Sequence, residues 1–355
     1  MLNLKFLRAI LLMSAAGLAV LAPSAGALAR SRREPVAEAP PPPAPVPPAG
    51  LSDRLIGDAA AYQGYVERVA ATSAAFASGD EVAAALRTSA AFEPRALVRG
   101  AIAYGAVAAL GGASFVASVR AAATSPDNRR LIAGYLLADP NYAVSFAGSD
   151  AAAGLAKQAL LASGARLTDT GRLMKASAYS VQHQAWSKGP VLDPRGRLDA
   201  VEAAASNGLT PAPDHMAGLR NAAAGGAPTA SAPAGPELPP YGPLVAHALQ
   251  LAAIAALGEA TDDAYDRLTP VMADGDVEGR LHLARLNLNQ CLAVARPHYE
   301  DIFCMGQHAI ADTGESLTKG AIFEVAPPPV IHLAPAEKPK PKVKPSTRSA
   351  HRRHR

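Results

Sequence analysis

Cys291 and Cys304 are the chain's two cysteines, with Pro297 between them. In an oxidising compartment an isolated pair of this kind forms a disulfide, here across a helical hairpin and closing a loop of about 14 residues. A competing chemistry uses Cys304 and His308, one helical turn apart, with His298, Glu300 or Asp301 alongside. Thiolate, imidazole and carboxylate are zinc ligands, but the spacing matches no zinc signature and a disulfide would consume the thiolate, so no metal is assigned.

Tyr179, His183 and Trp186 recur at helical spacing within a helix expected over 172–187, and would share one face, with Gln182 and Gln184 nearby. An aromatic and imidazole face can stack on a sugar or a peptide. The same rings serve equally as core anchors in a chain with one tryptophan and 5% aromatic residues. Ser316 and Lys319 fit the Ser-x-x-Lys pattern of acyl-serine enzymes, in which the lysine amine takes the serine proton, but the accompanying Lys-Thr-Gly is absent. Gly-x-Ser-x-Gly, His-Glu-x-x-His and Walker loops are absent too, so no residue is assigned to catalysis and no cofactor is expected.

The elements that must position these residues are helices. Gly79-Asp80, Pro94 and Ser125-Pro126 read as helix starts, Ser149-Asp150 opens a helix that Gly164 ends, and Asp169 leads into 172–187. Strand-like alternation of valine, isoleucine and threonine is scarce. The expectation is an all-α protein: a main helical domain over 51–221, an Ala/Gly/Pro linker over 222–243, and a small helical domain over 244–326 stapled by the cysteines. Residues 100–119 carry no charge between Arg99 and Arg120, which suits either a membrane span or buried Ala-rich helices broken near Gly111-Gly112. Alanine and glycine offer little transfer free energy, so buried helices are favoured.

The ends supply an address. Lys5 and Arg8 precede an apolar run to Ala22, and Ala27-Leu28-Ala29 offers small residues where a signal peptidase reads, so 1–29 is expected to be a cleaved signal peptide. The Pro-rich 30–50 reads as a disordered linker, and 327–355 as a disordered basic tail. That tail carries Lys338, Lys340, Lys342, Lys344, Arg348, Arg352, Arg353 and Arg355, whereas 39–336 is net acidic. Export and the acidic body argue against a nucleic-acid partner; the tail is expected to meet an anionic envelope polymer or lipid headgroups.

The stretch from Leu286 through Cys291 and Cys304 to His308 resembles exported alphaproteobacterial proteins of no assigned function, which implies a bacterial envelope setting and no activity. The sequence therefore points to a periplasmic or secreted, non-catalytic helical protein, an envelope scaffold or binding protein with no stable transmembrane span after cleavage. A ligand-binding or hydrolytic protein acting on cell-wall material through Tyr179, His183 and Trp186 is the alternative, followed by a membrane-associated protein.

Overall fold

Side chains at the start of several helices accept hydrogen bonds from the backbone N–H groups that a first turn leaves unpaired. Ser52 does this for α1 (Asp53–Ala70) and Ser78 for α2 (Gly79–Ala90). Glu93 caps α3 (Pro94–Leu110), where Pro94 fits the first turn because it has no N–H to lose. At Gly111-Gly112 the chain turns by 90° into α4 (Ala113–Ala122), and Ser125 then caps α5 (Pro126–Ala138). The computed structural model describes residues 50–206, 209–225 and 235–323. The proposed signal peptide, the 30–49 part of the linker and the basic tail lie outside them, as do Lys338, Lys340, Lys342, Lys344, Arg348, Arg352, Arg353 and Arg355.

A 3₁₀ turn at Pro140–Ser145 leads to α6 (Ser149–Val181), followed by the one-turn α7 (Ala185–Lys188), then α8 (Pro194–Ser206) and α9 (Pro213–Ala223). Beyond the 222–243 segment come α10 (Pro243–Ala256), the short α11 (Tyr265–Leu268) and α12 (Gly275–Val294), capped by Asp274. The last helical run is α13 (His298–Cys304), a π-helical stretch (Met305–Ala311) and α14 (Asp312–Ala321). The protein is all-α, and no strand occurs among the described residues.

α3 is the centre of the core. It is enclosed by α1, α6 and α10, which bury Leu97, Ile102 and Val107. The uncharged 100–119 segment is therefore a buried helix and a bent continuation. Among the described residues no single helix is long and apolar enough to cross a membrane. Because α10 packs on α3 and α14 on α6, the helices on either side of 222–243 share one hydrophobic core rather than forming two. Lys157 and Glu237 pair at 2.7 Å, and the Glu237 N–H donates to the Asp150 carbonyl, which ties the near edge of that segment to α6.

Gly164 does not end a helix, and the break expected before Asp169 is absent: α6 runs unbroken for 33 residues. The glycine is there for closeness. A Cβ on Gly164 would collide with the Thr318 hydroxyl and come within 2.9 Å of the Gly314 carbonyl, and one on Gly171 would lie 2.6 Å from the Gly306 carbonyl and the Ala311 nitrogen. Gly314 and Gly306 meet α6 in the same way from the opposite side. The 298–321 run thus lies antiparallel on α6 with the two backbones in contact, and its π-helical stretch sits opposite Gly171.

A polar cluster joins α1, α3 and α11. Asp58 accepts from Arg99 at 3.0 Å and from the Tyr265 hydroxyl at 2.6 Å, while the Arg54 guanidinium lies 3.7 Å above the Tyr265 ring. Burial, reinforced by Asp58, pushes the Tyr265 phenol up to about 12, so it remains a hydrogen-bond donor throughout the neutral range.

Candidate functional site

Three backbone stops build the site. α6 ends at Val181, α12 ends when Ala295 turns extended, and Pro297, also extended, starts α13. The Arg296 N–H donates to Glu300 Oε2 at 2.8 Å, which fixes the α12–α13 corner. The Val191 N–H donates to the Arg296 carbonyl at 2.9 Å, and Pro190 and Pro297 form an isolated antiparallel bridge, so the segment after α7 is pinned to that corner.

Cys291 and Cys304 form the expected disulfide, with their Cα atoms 5.7 Å apart across the corner. Cys304 is almost wholly buried and Cys291 less so, and both line a pocket of about 350 Å³ together with Tyr179, Val294, Tyr299 and Phe303. Tyr179 meets Phe303 edge-on at 6.2 Å yet remains 56% exposed, and Val294 is 74% exposed. A second hollow of about 320 Å³ is lined by His183, Lys188, Pro190, Arg296 and Pro297. Gln182 and Tyr299 line both, so the two hollows adjoin and together make up a surface groove in the loose sense, with an apolar half and a cationic half.

Replacing both cysteines with serine is expected to lower the unfolding free energy by about 3 kcal/mol, the entropy of the loop they close, with the denaturant midpoint as the measurement. An unchanged midpoint would show that the α12–α13 corner holds without the bond.

Tyr179, His183 and Trp186 do not share a helical face, because α6 stops at Val181, before the last two. Tyr179 lines the apolar half and His183 the cationic half. Trp186 stands on α7, donates its indole N–H to Gln184 Oε1 at 2.5 Å and packs 6.4 Å from the His298 ring. It lines neither half. His308 bonds to Asp312 at 2.8 Å, and among the described residues no group of three or more histidine, cysteine, aspartate or glutamate side chains is placed to hold a metal. Ser316 is buried and donates to the Asp312 carbonyl at 2.7 Å, whereas Lys319 is exposed. The two do not form a nucleophile pair.

A separate cleft of about 460 Å³ lies between α2, α8 and α13, with Asp80, Arg87, Asp193, Arg197, His298 and Asp301 in its walls. Arg197 and Asp301 pair at 2.5 Å with side chains only 6% and 5% exposed. Arg197 also donates to the carbonyls of Leu292 and Ala295, the last turn of α12. Burial pushes the Asp301 carboxyl above the usual aspartate range, opposed first by Arg197 and then by His298. Asp193 accepts from the Gly196 N–H at the start of α8. The Arg197–Asp301 pair holds α8, the end of α12 and α13 together, with Asp301 Oδ1 on the guanidinium.

Tyr299, Phe303, Val294, Arg296 and Lys188 were not singled out from sequence. Tyr299 and Phe303 are four apart beside Cys304, a spacing that puts both on one face of α13. That was the available signal.

Comparison with protein-family models, with curated proteins and with solved structures gives no match to this chain.

Proposed function

We propose that the protein is an exported, non-catalytic binding protein of the cell envelope, whose helical body presents the groove between α6 and the α12–α13 corner to a ligand. The groove carries this reading. Its two hollows fall within the size range of ligand sites, they are formed by backbone already pinned by a disulfide and a bridge, and one half leaves Tyr179 and Val294 largely exposed among the described residues. Export is supported by the leader-like N-terminus and by the disulfide, a bond that persists in oxidising compartments. In this reading the basic tail holds the protein reversibly to anionic envelope surfaces while the groove does the recognition.

The test is to purify the protein from envelope extracts and identify by mass spectrometry what leaves with it, beside Val294→Arg, which fills the apolar half with a charged side chain. The expected result is a small molecule that accompanies the parent and is depleted at least about tenfold from the variant. Equal recovery with both, or an empty parent that also binds no envelope extract added back, would sink the reading.

A further inference from the structure

We infer that the groove takes a single-chain amphiphile with an anionic head, its acyl chain against Tyr179, Val294 and Phe303 and its head against Lys188 and Arg296. The inference rests on the reading of the groove as a ligand site and adds what fills each half. Lys188, Arg296 and His183 are exposed around the cationic half, which contains no carboxylate, and none of the three has an ion-pair partner among the described residues. The nearest acid, Glu300, lines the apolar half, and its Oε2 accepts the backbone N–H of Arg296 rather than a guanidinium. The cations of this half therefore have no side-chain ion pair among the described residues and complement a single anionic group.

The other half sets what the anion is attached to. Its walls are two alanines, Val294, the disulfide sulfur of Cys291 and three aromatic rings, and its polar groups are confined to Gln182, Glu300 and the two tyrosine hydroxyls. An extended peptide would bury amide groups there with few partners, and a sugar would bury hydroxyls, each at the cost of unmet hydrogen bonds. A methylene chain has none to lose. Because Gln182 and Tyr299 border both halves, a chain lying in one ends beside the other.

The anionic head can come from a carboxylate or from a lysophospholipid phosphate, and the probes separate them. Dodecanoate, lysophosphatidylglycerol, dodecyl maltoside and dodecyltrimethylammonium are titrated below their micelle concentrations into the purified protein. Binding is followed calorimetrically and by the emission of Trp186, the sole tryptophan, which shares α7 with Lys188. One or both anionic probes should bind at least about tenfold more tightly than the neutral and cationic ones, and the tighter of the two names the head. Lys188→Glu combined with Arg296→Glu should abolish that preference by weakening the anionic probes far more than the maltoside, and Val294→Arg should weaken every probe.

Equal affinity for neutral and anionic chains overturns the head assignment and leaves the groove a ligand site. An anionic preference that survives the double charge reversal overturns it too, by assigning the attraction to the basic tail. An apolar peptide with a free C-terminal carboxylate that outcompetes all four probes replaces the acyl chain. Failure of every probe and of the peptide, in protein whose circular dichroism is intact, removes the groove as a ligand site altogether.

Discussion

Arg197→Met is expected to lower the unfolding free energy by about 3–5 kcal/mol, because it leaves the Asp301 carboxylate, only 5% exposed, with no countercharge. The loss also strips the carbonyls of Leu292 and Ala295 of a donor, so the α12–α13 corner loosens together with α8. Combining it with Asp301→Leu should recover most of the loss, since an apolar pair of similar volume removes the stranded charge rather than one end of a bond. A double-mutant cycle in denaturant measures both effects, and simple additivity of the two losses would refute the pairing.

The single variant also carries a pH signature. With the guanidinium gone, burial raises Asp301 further, opposed only by His298, so over a window above the unfolded aspartate value of about 3.9 the folded state holds a proton that the unfolded chain has released. Stability of the variant then falls as pH rises through the window above that value, and its deficit relative to the parent is largest at neutral pH and shrinks on acidification.

Gly306→Val is expected to cost about 3 kcal/mol, the upper end of ordinary overpacking. A Cβ at this position would lie 2.7 Å from the Lys175 nitrogen and 2.8 Å from the Gly171 carbonyl, both backbone atoms of α6 that cannot rotate aside. The two helices must separate, and the displacement reaches Phe303 and Tyr179 one turn away. Gly218→Ala supplies the contrast. Within α9 its Cβ would meet nothing within 4 Å, so the substitution should stabilise by about 0.5–1 kcal/mol through helix propensity alone. Thermal unfolding of both variants checks the pair, and similar shifts would show that the seam is not close-packed.

Much of the fold was legible in the chain because helix ends are written locally. Gly79-Asp80, Pro94 and Ser125-Pro126 mark starts that the structure uses, although the side chains that cap the first two are the preceding Ser78 and Glu93, and Gly111-Gly112 marks the bend inside the apolar stretch. Gly164 misled because one residue type serves two purposes, ending a helix and admitting a neighbouring backbone, and only the partner helix, more than a hundred residues away, decides between them. The 222–243 composition suggested a divide between domains, but composition is silent on packing, and α10 returns to cover α3.

The groove was less legible. Tyr179 and His183 were picked out for a shared helical face that ends too early, and they reach the groove from the last turn of α6 and the segment beyond it. Arg296 and Lys188 are two cations among 34 lysines and arginines, with nothing in their neighbours to distinguish them. Arg197 and Asp301, 104 positions apart, are likewise ordinary until three helices close over them.

The disulfide has a second consequence besides stability. Cys304 is almost wholly buried and Cys291 less so, yet both line the apolar hollow, so the disulfide itself is part of its wall. The bond that holds the α12–α13 corner is thus also a surface of the hollow, and any change in its redox state alters the wall and the corner together.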